Sequence, residues 1–477
     1  MIGNQERWQE DLFVAGPLRD LIPDGHVLKL VDKVLDLSWL REEVRDSYCE
    51  DNGRPGIDPE AALRLMLAGL FQGIVHDRKL LREAQVNLAI RWFAGYRLHE
   101  KLPDHSSLTR IRQRWGPEQF KRIFQRTVKS CCDAGLVNGE TVHIDATLIR
   151  ADVSWESLTT EHAEKVLEAN TTKEDPQDDP PKPKRGRPRT KPPKPKKYSP
   201  TDPDATMSTS CKQYRLEPCY KQHTAVDDEA GVVVDVDVTT GESNEGRQLP
   251  EQIDRIEANT GRKVLAVTAD GGYAHSVNYA ELEDRQIDAV IPPQRENTSP
   301  KRIPARRFKY DARHKVVRCP GGKTLRRSSY DSKRLTYRAR SSDCRSCPLR
   351  SRCLPSSSTV RTITISHGHE ALVRARRRKA KGWDPPTRHA YHRHRWRVEG
   401  VHGEAKTQHG LRRAVRRGCW NVAIQAYLTA AVMNLKRLAA LLLASAFLRW
   451  TRIGYHVAWR MLLEGSQSDI GAKRIPV

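Results

Sequence analysis

The sequence predicts an α/β domain with a mixed sheet flanked by helices, preceded by an all-α region, on three observations. Apolar residues recur at helical spacing through the first 130 positions, strict alternation takes over near residue 141, and from residue 220 β-branched runs alternate with amphipathic helical stretches. With 477 residues and 38% hydrophobic content, the chain can bury the cores of two or three domains.

In the first region, Asp58-Pro59 supplies an N-cap and an N1 proline ahead of AALRLMLAGLFQGIV. Apolar residues surround most of that helix, which predicts the centre of a small bundle. A second start lies at Pro103-Asp104 before LTRIRQRW, and Gly116-Pro117 breaks that helix and opens EQFKRIFQRTV. Two short helices and a tight break resemble a helix-turn-helix. Arg110 and Arg114 share one face of the first, a pattern that fits phosphate contacts and equally an ordinary solvated face.

ETVHIDATLI then puts Thr141, His143, Asp145 and Thr147 on one side and Val142, Ile144, Ala146 and Leu148 on the other, the pattern of a half-buried strand. Residues 170–200 are Pro-rich, charge-blocked and nearly free of apolar groups, which predicts a tether. YKQHTAVDD and GVVVDVDVTT flank an Asp-Asp-Glu-Ala-Gly turn and read as a hairpin. A helix in RQLPEQIDRIEAN, a strand in VLAVTA ending at Asp270-Gly271-Gly272, a helix in SVNYAELEDRQ and a strand in DAVIPP complete the order.

Charge narrows the function. The formal net charge is +24, and residues 301–420 alone hold 34 Lys or Arg against 7 Asp or Glu, so the basicity is regional and a polyanion is the expected partner. MIGNQERWQEDLF lacks a basic stretch followed by an apolar one, which argues against a secretory signal and for a cytoplasmic, nucleoid-associated protein. Leu438 to Leu448 is too short to span a bilayer and reads as a buried helix, so no membrane partner is expected.

Three carboxylates carry the chemistry. Asp145 lies on the polar side of the first strand, and Asp270 closes a later strand where two glycines let the backbone turn away. RHAYHRHRWRVEGVHGEAKTQHGLRR reads as one helix, on which stepping from Glu399 places His392, Arg395, His402 and Lys406 on the same face, a lone acid in a basic stripe. Glu404 is the rival third acid, about 140° round that helix at 100° per residue.

These motifs resemble the DDE transposases of bacterial insertion sequences. HIDATLIRA looks like the strand of the first Asp and VTADGGYA like that of the second, while Arg395-x3-Glu399-x6-Lys406 is similar to the Arg, Glu and Lys of the Tyr-Arg-Glu-Lys signature. Tyr391 stands one residue further from the Arg than the usual spacing. LPDHSSLTRIRQRWG also resembles the helical domain that precedes the core in this group, and the likeness covers nearly the whole chain apart from the tether.

The resemblance implies an RNase H-like catalytic domain over 138–470, interrupted by the tether and by a basic insertion at 295–375, behind a DNA-binding domain over 1–130. It implies that Asp145, Asp270 and Glu399 hold two Mg²⁺ or Mn²⁺ ions for cleavage and strand transfer at the ends of a mobile element. It also implies that Arg395 and Lys406 meet DNA, that Tyr391 supports the site, and that a homodimer or higher oligomer forms on double-stranded DNA. The alternatives are a non-catalytic DNA-binding regulator, which would lack one of the acids, and a stand-alone nuclease, which would not need the long helical N-terminal region.

Cys319, Cys344, Cys347 and Cys353 recur within the basic insertion, and the Cys344-x2-Cys347 pair with flanking single cysteines resembles a structural zinc site. Cys49, Cys131, Cys132, Cys211, Cys219 and Cys419 are scattered and read as unliganded thiols. Arg306, Arg307, Arg326, Arg327, Arg334 and Arg338 suggest that the insertion grips DNA backbone. In the tether, Arg185-Gly186-Arg187-Pro188-Arg189 resembles an AT-hook, whose arginines enter a narrow A·T minor groove; a plain cationic linker is the competing reading.

Overall fold

The computed structural model describes residues 16–48, 56–153, 199–207, 217–294, 302–329 and 334–465. They fall into two compact units, one drawn from residues 1–134, 404–416 and 420–477 and the other from 135–403 and 417–419.

In the first unit, helices α1 (Val27–Asp32), α2 (Leu40–Glu43), α3 (Pro59–Phe71), α4 (Asp77–Val86), α5 (Leu88–Phe93) and α6 (His105–Asp133) form the all-α region. The expected caps are in place, because Asp58 accepts from the Glu60 amide at 2.8 Å and Asp104 from the Ser106 amide at 2.8 Å. From Ala62 to Leu70 every residue but Arg64 is buried, which makes α3 the central helix its sequence predicts. Gly116 takes φ +69°, a left-handed conformation that only glycine adopts without strain, and it alone separates the two halves of α6. Arg110 and Arg114 are exposed, with Arg114 lying over the Tyr48 ring, whereas Arg112 turns inward. It makes a bidentate contact with Asp77 at 2.8 and 3.0 Å, and Arg416 joins the same carboxylate.

A long C-terminal helix, Cys419–Gly465, belongs to this unit from Trp420 onward, and its stretch to Ala444 is long and apolar enough by composition to cross a membrane. Much of it is packed, with Val422, Ala426, Ala431 and Val432 almost inaccessible and Tyr427 stacked on Phe124 at 6.3 Å. The expectation of burial from Leu438 to Leu448 needs correction. Leu438 and Ala439 close the buried stretch, and Leu441, Leu442 and Leu443 are exposed, because the packed side of the helix ends there.

In the second unit, strands β1 (Thr141–Arg150), β2 (Thr206–Met207), β3 (Pro218–Asp227), β4 (Val233–Thr240), β5 (Ala266–Ala269) and β6 (Asp288–Val290) build a mixed sheet. β3 runs antiparallel to β1 and to β4, and β5 and β6 continue parallel on the other side of β1, with β2 joining the end of β3. The β3–β4 hairpin forms where the Asp-Asp-Glu-Ala-Gly turn predicts it. Helices α7 (Leu249–Thr260) and α8 (Ser276–Asp284) supply the expected crossovers. β1 departs from the half-buried reading. It is covered on both faces: His143, with the His394 ring 5.9 Å away, and Thr147 on its polar side are buried along with Val142 and Ile144 on the other.

Within the second unit, strands β7 (Lys309–Asp311), β8 (Val316–Arg318), β9 (Thr324–Ser329), β10 (Arg334–Arg338) and β11 (Thr362–Ser366) form a separate antiparallel sheet. Its core is small, Phe308, Val317, Leu325, Tyr337, Ile363 and Ile365, with Cys319, Cys344 and Cys353 packed against it. Helices α9 (Ser341–Arg345) and α10 (Arg350–Cys353) lie between β10 and β11. The chain then returns through α11 (His369–Lys381) and α12 (Pro385–His394), a π-helical turn at Arg395–Glu399, and α13 (Gly400–Gln408). The single helix expected over this stretch is thus interrupted at Arg395 and ends before Gly410, and Gly410 has φ +67°.

Candidate active site

The parallel pairing of β1 with β5 aligns His143 with Thr268 and Ile144 with Ala269. Asp145 and Asp270 each stand one residue beyond the last pair, so they lie at one level where β5 ends, Asp145 being in the middle of β1 and still paired with Thr224 of β3. Asp270 is held in place because its Oδ1 accepts from the Gly272 amide at 2.7 Å. A side chain at Gly272 would meet that oxygen at 2.9 Å and Glu245 Oε2 at 3.2 Å, so glycine is needed there for room.

Electrostatics tie these acids together. Burial, assisted by the charges of Asp270, Glu245 and Glu399, pushes the Asp145 carboxyl up to about 7. Burial and Glu245 also raise Asp270. His402 Nδ1 lies 3.9 Å from Asp145, and Glu399 is exposed and held by Arg395 at 3.2 Å. The sequence reading missed Glu245. It sits in a short 3₁₀ turn, Glu245–Arg247, and pairs at 2.9 Å with the buried amine of Lys221 on β3. Only the facing of the turn by the sheet edge shows its place, and no local pattern in ESNEGRQ announces it. The buried Tyr273 hydroxyl, without a hydrogen-bond partner, lies within electrostatic reach of Asp145, Glu245 and Asp270.

The π turn changes the helical stepping through Glu399. Each residue of a π turn advances less than 100°, so the face drawn through His392, Arg395, Glu399, His402 and Lys406 does not persist along the segment. His392 is exposed while His402 is buried. Tyr391 packs edge-on to Trp383 at 4.9 Å and stacks parallel to His394, with Lys379 above Trp383. Lys406 lies on α13 and makes a polar interaction of its own.

Glu404 is not a counterpart of Glu399. Burial alone would raise its carboxyl, but hydrogen bonds with His409 and Lys436 and the charges of Arg437 and Lys436 bring it down to about 2. It is a paired structural acid of the first unit.

Among the described residues, no group of three or more His, Cys, Asp or Glu side chains is arranged as a ready-built ion cage. The donor chemistry of the acid cluster nevertheless suits a hard divalent cation. Carboxylate oxygens are hard donors, and a cation beside Asp145 would favour the charged form that burial and the nearby acids disfavour.

In the insertion, Cys319 sits in a tight turn whose Lys323 amide donates to its sulfur at 3.3 Å. A Cβ at Gly321 would lie 3.5 Å from Cys347 Sγ and 3.7 Å from Cys319 Sγ. Burial, and the charges of Cys344, Cys347 and Cys319, raise the Cys353 thiol. The four thiols therefore neighbour one another. Arg306, Arg307, Arg326, Arg327 and Arg338 are exposed; the side chain of Arg334 and the whole AT-hook-like segment, with Arg185, Arg187 and Arg189, lie outside the described residues, as does most of the tether. So do Cys49 and Cys211.

Residues 16–114 match the transposase domain of unknown function DUF772, and residues 195–435 match the transposase DDE domain. No curated protein matches the chain. Among solved structures, it is similar to the piggyBac transposase synaptic complex with hairpin DNA, at 11% identity and a TM-score of 0.30, over 94% of this chain and 86% of that one. The second family match spans just over half of the sequence and takes in Asp270 and Glu399, so this chain belongs to the transposase DDE domain family.

Proposed function

We propose that this protein binds the ends of a mobile DNA element and cuts and joins DNA there with divalent metal ions. The observation that carries the reading is the placement of Asp145 and Asp270 at one level on paired parallel strands, with Glu399 near enough for its charge to add to the burial that raises Asp145 to about 7. The strand order, with β1 between an antiparallel hairpin and two parallel strands, supports an RNase H-like core. Asp145, Asp270 and Glu399 would hold Mg²⁺ or Mn²⁺, which when bound stabilises the attacking and leaving oxygens of a phosphodiester displacement.

The chain's own groups do the rest. Arg395 neutralises and aims Glu399, Lys406 meets the backbone of the bound strand, and Tyr391 braces the helix end against Trp383. Exposed Arg110 and Arg114 contact phosphates in the helical region. In the insertion, Arg326 and Arg338 stand directly opposite on neighbouring strands. Like charges so placed repel, and a phosphate between them removes the penalty. A homodimer on double-stranded DNA would bring two ends together. Movement of a marker flanked by the DNA from either side of the coding sequence, from one plasmid to another in the presence of this protein, tests the reading; no joined product would refute it.

Cys319, Cys344, Cys347 and Cys353 would hold one structural zinc, which the small core of the insertion needs because its apolar contents are few. Protein purified without chelator is expected to carry one zinc per chain, and Cys344→Ser to lose it while the helical region stays folded. Zinc-free wild-type protein would remove the assignment.

Arg185, Arg187 and Arg189 are proposed to enter A·T-rich minor grooves and raise the local concentration of DNA. Replacing Arg185 and Arg187 with Ala is expected to weaken binding to A·T-rich duplex more than to G·C-rich duplex, leaving cleavage intact at saturating DNA. Equal losses on the two duplexes would make the segment a plain cationic tether.

A further inference from the structure

We infer that His143, Thr268 and His394, with Asp228, are positioning residues: one buried hydrogen-bonded chain that fixes the spacing of the three elements carrying Asp145, Asp270 and Glu399. The inference rests on the assignment of those acids above. His143 stands two residues before Asp145 on β1, Thr268 two residues before Asp270 on β5, and His394 five before Glu399 at the entrance to the π turn. Each of the three elements thus contributes one buried polar group just ahead of its acid.

The contacts are continuous. Thr268 Oγ1 lies 2.6 Å from His143 Nδ1 and 2.9 Å from His394 Nδ1, and His143 Nε2 lies 2.7 Å from Asp228 Oδ1. His143 and Thr268 are fully buried, and His394 nearly so. The ring centroids of His143 and His394 are 5.9 Å apart.

Donor and acceptor bookkeeping allows one arrangement for neutral rings. Asp228 accepts, so His143 carries its proton on Nε2 and its Nδ1 accepts from the Thr268 hydroxyl. The oxygen of Thr268 is then left to accept, so His394 carries its proton on Nδ1. Threonine here gives one hydrogen bond and takes another, which valine, of nearly the same shape, cannot do. A purely apolar contact at this place would pack as well without any polar group to satisfy, so the polar chain supplies direction and register that packing lacks.

The π turn is also pinned by arginines before it and within it. Arg393 pairs with the Asp228 carboxylate at 2.7 Å and donates to its carbonyl at 2.6 Å, and Arg397 donates to the Glu229 carbonyl at 2.7 Å. The turn that presents Glu399 is thereby fastened to β5 through His394 and to the β3–β4 turn through two arginines.

Outer groups that orient metal-binding side chains typically cost 10–100-fold in metal affinity or activity when removed, so Thr268→Val is expected to lower kcat for cleavage by roughly that factor. End-binding Kd and the far-UV spectrum should stay unchanged, and Thr268→Ser should restore most of the rate. In full-length protein labelled with ¹⁵N-histidine, His143 is expected as the Nε2–H tautomer and His394 as the Nδ1–H tautomer, with both resonances shifted in Thr268→Val. Wild-type cleavage speed in Thr268→Val, no recovery in Thr268→Ser, or a proton on Nε2 of His394 would each overturn the inference. If the wild-type protein itself cuts no end duplex, the functional reading falls, while the tautomers still decide whether the chain of bonds exists.

Discussion

Asp145→Asn, Asp270→Asn and Glu399→Gln are each expected to reduce strand cleavage by roughly 10⁴-fold or more, the scale seen when an essential catalytic group is removed. Binding to end DNA should survive, because phosphate contacts come from cationic side chains and not from these acids. The electrostatics add a second arm. Asp145 is held at about 7 by burial and by like charge, so removing its charge relieves repulsion in the metal-free protein. Asp145→Asn should therefore melt at the same temperature as the parent protein or higher, although it is inactive. A structural acid behaves in the opposite way, and Glu404 provides the contrast. Glu404→Gln breaks its pairs with Lys436, Arg437 and His409, so it should lower the melting temperature and keep the chemistry. Loss of cleavage in Glu404→Gln with full activity in Glu399→Gln would reverse the assignment.

The largest expected effect on stability lies in the helical unit. Asp77 and Arg112 have side chains only 7% and 8% exposed, bound through two hydrogen bonds, with Arg416 as a second cation on the same carboxylate. Removing one partner of a buried ion pair leaves its mate uncompensated, at a cost of about 3–5 kcal/mol. Asp77→Ala strands two arginines and should lie at the top of that range. Thermal denaturation should show a fall on the order of 10 °C for a unit of this size. Combining it with Arg112→Met should recover part of the loss, since the pair is then exchanged for apolar contact. A change within experimental error for Asp77→Ala alone would mean that water reaches the site and screens it.

Much of this architecture was legible from local pattern. The caps at Asp58 and Asp104, the break at Gly116, the β3–β4 hairpin and the end of β5 before Asp270 all rest on short-range chemistry, and each lies where its residues predict. What escaped depends on distant partners. Arg112 reads as one more cation on a basic helix until Asp77, thirty-five residues away, meets it. His143 reads as the polar side of a half-buried strand, because nothing in VHIDAT says that β5 and α12 cover it. Glu245 reads as a loop acid until Gly272 leaves room for it beside Asp270. The basic stripe around Glu399 failed for a different reason. Helical stepping assumes a constant turn, and the π turn at Arg395–Glu399 alters it at the residue that matters.

The central claim is that Asp145, Asp270 and Glu399 form a metal-dependent centre that cuts DNA at an element end. The direct measurement uses a labelled duplex spanning the boundary between the element and its flanking DNA, incubated with the full-length protein and Mg²⁺. The account predicts a nick at the boundary that exposes a 3′-hydroxyl, stops when the metal is chelated and is absent with Asp270→Asn. Cleavage that persists in chelator, or that proceeds equally with Asp270→Asn, would contradict it.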